Sequence, residues 1–438
     1  MYVKYLGDKI DLISAVRLGQ IQTVQKIVNQ NPAAAHSEKN RPNPLREAAG
    51  WGRLEICRFL IEEHNVDVND FEGGAGYPII KAALKHPEVV KYLIEKGADL
   101  KTRITWRGVR TGVWIIGDDA TVLHFAARDG VPDTIQILLD AGIDPFATAH
   151  DMVDKEDKQT ALEVAAYFGK TDNAIAILQH PKFKDATDPI RQHVLDKSFA
   201  GASLSSWLAF EAQDRSQLLD ALLTNGASIK AIDEDHSPIQ IAVRGVHPND
   251  EAKNKSIKEM IAVLRKHGAD LDVFAAVAIG DVDSLAKLLE KDPKASIAYS
   301  IEVYPAIHMA IKMNYPKAVK MLLDAGCDVE IKSKSDSIGW REETPILCVA
   351  FWGHDDIAKM LLDSGANVNA KANQDVTPLH VAVRMNNVGI AKLLLEYGAN
   401  MQAKDQEGKT PLEWASSHSS AEEFRKLFLN LDETSTDK

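Results

Sequence analysis

Cysteine is scarce: Cys57, Cys327 and Cys348 are the only three in 438 residues. They are too few and too scattered for a disulfide framework or a thiolate metal site, which favours a reducing compartment. No stretch approaches the roughly 20 apolar residues that a membrane-spanning helix needs. The opening MYVKYLGDKIDLISAV lacks a basic leader followed by an unbroken apolar run, so it makes a poor secretion signal. Positive charge is in deficit, with 51 Lys and Arg against 63 Asp and Glu and a formal net charge of −12. Nucleic-acid binding demands a concentrated basic surface, and this balance argues against it. Phosphate-cradling GxxxxGK[ST], a GxSxG elbow and a GxGxxG after a strand are all missing. The Gly-rich FEGGAGYP at 71–78 has no strand–helix unit around it. What is present is 45% apolar and 26% charged residues, a globular composition. These absences lead to the expectation of a cytoplasmic protein with no membrane or nucleic-acid partner.

The chain repeats itself. TVLHFAARDG (121–130), TALEVAAYFG (160–169), TPILCVAFWG (344–353) and TPLHVAVRMN (377–386) share one pattern. A second apolar-periodic run follows each, such as HDDIAKMLLDSGANVN (354–369), and ends at a glycine that suits a left-handed helix cap. Helix, tight turn, helix and extended loop is the local reading. The pattern resembles the ankyrin repeat family, whose period is about 33 residues. Units start near Asp11, Asn43, Tyr77, Thr121, Thr160, Ser205, Ser237, Leu271, Pro305, Thr344, Thr377 and Thr410, so the resemblance covers roughly 10–430. It implies an all-α solenoid of about twelve helix-turn-helix repeats with β-hairpin-like fingers, several of them elongated. Such hairpins cannot bury their own apolar stripes, and stacking creates one continuous core. The unit at 205–226 fits least, with Phe-Glu where a small Ala-Ala pair is usual. The last unit, TPLEWASSHSSAEEFRKLFLN, has the polar character of a cap, and 431–438 reads as a disordered tail.

Departures from the period mark the organisation. DLISAVRLGQIQTVQKIVNQNPAA (11–34) and DVFAAVAIGDVDSLAKLLEKDPKA (272–295) are alike, and both end at Asn-Pro or Asp-Pro. A first-unit pattern recurring at 272 leaves two readings open. One joins two arrays, 1–270 with about seven repeats and 271–430 with about five, at a seam near Asp270–Asp272. The other is a single array with one eroded repeat. HPKFKDATDPIRQHVLDKSFAGAS (180–203) interrupts the first array, and PIRQHVLDKSFA within it suits an extra helix. Insertions lengthen the loops at 103–118, 149–158 and 331–343, and another, 245–255, lies between two helices of one unit. In 103–118, Ile104 and Trp106 alternate with Arg103, Thr105 and Arg107 before Gly108 and Gly112, which predicts a hairpin.

Register accounts for most reactive side chains. Cys57, Cys327 and Cys348 fall on small apolar slots. For His124, His308 and His380 the resemblance implies hydrogen bonding within the turn, and no histidine pair has a convincing metal spacing. Asp185, Asp188, His193 and Asp196 in the irregular middle carry no motif. No catalytic residue, cofactor or metal is expected.

In the resembled family, residues just before the inter-helix turn and the fingers line a concave groove that holds a partner. Carried over, this row contains Trp51, Arg128, Tyr167, Phe168, Phe351, Trp352, Arg384 and Met385, while the fingers add Trp106, Arg107, Arg110, Trp114, Trp340 and Arg341. Large aromatics and arginines are the side chains that most often dominate interfaces. The expected function is non-enzymatic: a monomeric interaction or scaffold protein whose partner is another protein or peptide bearing an acidic segment. Two alternatives stand beside it. One is an enzyme with its site in 180–260 and the repeats as substrate receptor; the other is a bacterial effector that targets host proteins.

Overall fold

The computed structural model describes residues 11–36, 42–70, 78–104, 119–150, 158–187, 189–208, 215–230, 237–300, 304–334, 342–415 and 422–428. They fall into two units, one up to residue 230 and the other from 237. Six helical hairpins make up the described part of each. In the first unit the leading helices are Leu12–Leu18, Pro44–Gly50, Ile79–Ala83, Val122–Asp129, Ala161–Tyr167 and Pro189–Leu208, each packed on the next. The second helices form a parallel row that ends with Pro132–Asp140, Thr171–Gln179 and Ser216–Thr224. In the second unit the leading helices are Pro238–Ala242, Val273–Ile279, Ala306–Lys312, Pro345–Trp352, Pro378–Arg384 and Pro411–Trp414. The Asp270–Asp272 point, where one of the two readings places a seam, lies inside this second unit. Across it Gln240 Nε2 donates to Asp272 Oδ2 at 2.6 Å.

Local sequence explains why the helices start and stop where they do. Proline at the first helical position, as at Pro44, Pro345 and Pro378, has the right φ and no N–H to leave unpaired. Thr160 caps its helix reciprocally with Glu163, and Thr377 does so with His380. At the far end, Gly353 takes φ +81°, and a Cβ there would lie 2.7 Å from the Asn387 amide oxygen. The paired alanines Ala48–Ala49, Ala126–Ala127 and Ala165–Ala166 are fully buried, so helices approach closely in the core between the rows.

Three kinds of polar bond join one hairpin to the next. A side chain at the start of a second helix caps the last carbonyls of the preceding leading helix. Arg53 Nη2 donates to Arg17 O (2.7 Å), Asn173 Nδ2 to Ala127 O (3.1 Å) and Asn387 Nδ2 to Ala350 O (2.8 Å). Between loops, Asn69 accepts from Asp99 N and donates to Gly97 O, as Asn369 does with Asn400 N and Gly398 O. Finally, each turn histidine spans two hairpins. His124 Nδ1 meets Thr121 Oγ1 at 2.8 Å while Nε2 meets Gln159 O at 3.0 Å, and His380 repeats this with Thr377 and Lys409 O. Burial pushes His124 and His308 down to about 4, which keeps these rings neutral at pH 7.

Two expectations about register are corrected. The extra helix expected within 180–203 and the leading helix of the sixth unit are one continuous helix, Pro189–Leu208, packed beside Ala161–Tyr167. Val194, Leu195 and Phe199 are buried on it, and the small-pair position at Phe210–Glu211 lies outside the described residues. The 245–255 insertion is loop only to Asp250; its remainder lengthens the second helix to Glu251–Lys266. The other insertions are pinched at their bases by antiparallel backbone pairs. These are Ile104 with Ala120, Thr148–His150 with Lys158–Thr160, and Ser333 with Glu342 and Glu343. The expected hairpin within 103–118 otherwise lies outside the described residues.

One Thr–His pair is split over two repeats. His308 Nε2 meets Glu343 O at 3.0 Å, but Pro305 holds the capping position, and the buried Nδ1 has no partner among the described residues. Next door, buried Thr344 Oγ1 is unpartnered because Leu347 stands where histidine would. Restoring the first pair with Pro305→Thr is expected to stabilise the protein by about 1 kcal/mol in urea unfolding. An unchanged or lower midpoint would show that the proline's rigidity outweighs the lost bond.

Candidate functional site

The residue before each inter-helix turn shows how exposed the predicted row is. In the first unit this position holds Leu18, Trp51, Lys85, Asp129 and Phe168. Leu18 and Trp51 are 62% and 53% exposed and sit in register on neighbouring hairpins, a two-residue apolar step facing solvent. Further along, Tyr167 and Phe168 pack edge to face with centroids 5.4 Å apart, each half-buried. The Tyr167 carbonyl accepts from Arg215 Nη2 at 3.3 Å, so the backbone beneath this pair is fixed by the next hairpin. Arg128 is largely covered at its place in the row. Its side chain is only 13% exposed, held by Asp129 and 5.8 Å from the Phe125 centroid.

The second unit has its own row. Phe351 and Trp352 meet edge to face at 5.3 Å, flanked by buried Met313 and half-buried Met385. Asn387 Nδ2 donates to Phe351 O at 3.2 Å, which fixes the helix end that carries both rings. Arg384 is exposed, with its guanidinium 5.7 Å from the centroid of Trp414. The Trp352 indole nitrogen is buried without an acceptor among the described residues, and so is His354 Nε2. Trp106, Arg107, Arg110, Trp114, Trp340 and Arg341 all lie outside the described residues.

Other chemistry has little support. Cys57, Cys327 and Cys348 are buried and unpaired to one another; burial pushes the first thiol up to about 12 and the second to about 11. Of the acids in the irregular middle, Asp196 Oδ1 accepts from Gln192 Nε2 and Ser228 N, a brace for the Gly226–Ser228 turn. Asp185 and His193 are exposed, and Asp188 lies outside the described residues. Among the described residues, no three His, Cys, Asp or Glu side chains gather as a metal site. No described helix is long and apolar enough to cross a membrane.

A family model described as ankyrin repeats (3 copies) matches residues 12–104, 273–372, 307–405 and 346–437, and a single ankyrin repeat model matches 118–150. The chain belongs to the ankyrin repeat family. Ankyrin repeats support a protein–protein interaction role. Among curated relatives, the Arabidopsis thaliana E3 ubiquitin-protein ligase KEG is 25% identical over 352 residues, 77% of this chain and 18% of that protein. The human transient receptor potential cation channel subfamily A member 1 is 24% identical over 425 residues, 84% of this chain and 35% of the channel. Human Rabankyrin-5 is 36% identical over 83 residues, 18% of this chain and 7% of its own length. This chain therefore spans a minor part of the relatives it matches.

Several residues that matter in this ankyrin array escaped the sequence reading. Leu18 was detectable, because it occupies the register position of Trp51. Arg215 stands where Arg53 and Asn387 stand, at the N-cap of the second helix, but the variety of residue types there hides the shared capping role. Lys81 occupies the slot of Phe125 and Val381 in the leading helix, and its charge there was the available signal. Trp352 yields a direct test. Trp352→Phe keeps a ring and removes the buried N–H, so urea unfolding is expected to show equal or higher stability, by up to about 2 kcal/mol. Destabilisation beyond 1 kcal/mol would mean that the indole nitrogen is bonded.

Proposed function

We propose that the chain is a non-enzymatic interaction or scaffold protein that seats a segment of another protein along the leading-helix row, with the long fingers as flanking contacts. The supporting observation is Trp51, a large aromatic 53% exposed at the register position that also carries Phe168 and Trp352. Aromatic anchors contribute large contact area at a modest entropic cost, and a helix end fixed by the next hairpin presents them without rearrangement. Capping of the Tyr167 and Phe351 carbonyls provides that fixing. The finger residues Trp106, Arg107, Arg110, Trp114, Trp340 and Arg341 extend the same reading, with the arginines directed to an acidic segment. A cytoplasmic monomer belongs to this proposal, since each leading helix buries its apolar face against its neighbours within one chain.

The test is affinity capture from the native host with wild type, Trp51→Ala and Trp352→Ala, each checked for an unchanged circular-dichroism spectrum. A partner retained by wild type is expected to fall at least fivefold with either variant. Undiminished capture by both would remove the row from the binding surface.

A further inference from the structure

Large apolar side chains stand open to solvent at one end of the leading-helix row. Leu18 and Trp51 occupy neighbouring hairpins in register, each just before its turn. Polar bonds from the following hairpins hold the backbone beside them. Arg53 Nε and Nη2 both donate to Arg17 O, and the guanidinium lies against Gly19, where a Cβ would be 3.1 Å from Nε. His86 Nε2 meets Gly50 O at 3.1 Å, and its ring covers Gly52, where a Cβ would be 2.5 Å from Nδ1. The turn segments RLGQ (17–20), WGR (51–53) and LKH (84–86) contain no acid. Arg17 is paired with Glu47 at 2.7 Å, whereas Arg53 and the exposed Lys85 meet no carboxylate among the described residues. Glu55 and Glu88, in the first turns of the second helices, leave both cations unpaired. An apolar step is thus bordered by positive charge.

We propose that the Leu18–Trp51 step docks a short segment of the partner protein in which two apolar side chains stand next to an aspartate or glutamate. The inference rests on the leading-helix row being the binding face and names what its first hairpins accept. The apolar pair covers Leu18 and Trp51 and removes their surface from water. The acid faces Arg53 and Lys85, whose charges set the register of the segment more than they add to its affinity. Because the turns are already held by Arg53 and His86, docking needs no rearrangement of the backbone.

Net charge separates this occupant from an anionic lipid surface, which offers the same mixture of apolar and negative groups. An extended bilayer meets the field of the whole chain, and a net charge of −12 repels it. A short segment senses only the charges within a Debye length, roughly 8 Å at physiological salt, and there the cations prevail. A second copy of the chain fits no better. Docked through the same step, it sets Arg53 and Lys85 against their own counterparts.

The experiment pans a phage-displayed library of random dodecapeptides on the full chain and measures the enriched sequences, as fluorescein-labelled peptides, by anisotropy. Wild type is expected to enrich peptides with Asp or Glu adjacent to two large apolar residues. Trp51→Ala weakens them at least fivefold and Lys85→Glu about threefold, with melting temperatures unchanged. Lys85→Gln falls between wild type and Lys85→Glu, and panning on Lys85→Glu shifts the enrichment from acidic to basic residues. Phosphatidylserine vesicles do not sediment the chain. An empty selection, enriched peptides without an acid, or acidic peptides indifferent to both Lys85 variants would overturn the proposal. So would vesicle binding or a dimer that Trp51→Ala abolishes. Peptides that lack an acid yet weaken with Trp51→Ala leave the row itself standing, whereas peptides indifferent to Trp51→Ala count against the row as well.

Discussion

A leading helix ends with carbonyl groups that its own backbone cannot satisfy, and in five of the described hairpins a side chain of the next one satisfies them. Asn173 reaches Ala126, Ala127 and Gly130, Asn387 reaches Ala350 and Phe351, and Arg215 reaches Ala166 and Tyr167. Arg53 and His86 do the same for Arg17 and Gly50. A buried carbonyl left unpaired costs on the order of 1–3 kcal/mol, comparable with the margin a single hairpin has to spare. Neighbour dependence is therefore written into hydrogen bonds as well as into apolar stacking. The Thr–His pairs and the Asn69 and Asn369 bridges act in the same direction, each spending its polar groups across a repeat boundary.

This constraint also shapes the binding row. Since the carbonyls beneath Tyr167 and Phe351 are held from the next repeat, the rings at those helix ends are placed by the array and not by their own helix alone. Trp51 differs from Trp352 in how much of the ring remains open to solvent, although the two share a register position. Arg128 turns back onto Asp129 and Phe125, and with Lys81 it converts an apolar slot into a charged one. The row is thus uneven: a small apolar step and a cationic point in one unit, an aromatic and methionine stretch in the other. That unevenness is what gives a repeated scaffold the means to distinguish one partner from another.

Much of the fold was legible because the TPLH-type segments combine a cap, a proline at the first helical position and a glycine stop at fixed spacing. These are local signals, and the structure places helices on them throughout both units. Legibility failed where the local signals changed residue type. Pro189–Leu208 has no proline–histidine cap or small pair in the usual places, so its long helix read as an insertion followed by a degenerate unit. His308 sat correctly on its register, but its missing bond depends on Pro305 and Thr344 lying in different repeats. In the candidate site, aromatic residues announced themselves by position, whereas Lys81 is informative only once Phe125 and Arg128 are brought against it by packing.

The central claim is that, where such a cap is present, a hairpin is held by side chains of the next. Hydrogen exchange followed by mass spectrometry on Asn173→Ala tests it most directly. The expected result is lost amide protection in Val122–Asp140 and Thr160–Gln179, with protection in 273–396 unchanged. Unaltered exchange in Val122–Asp140, or an equal loss spread through both units, would contradict it.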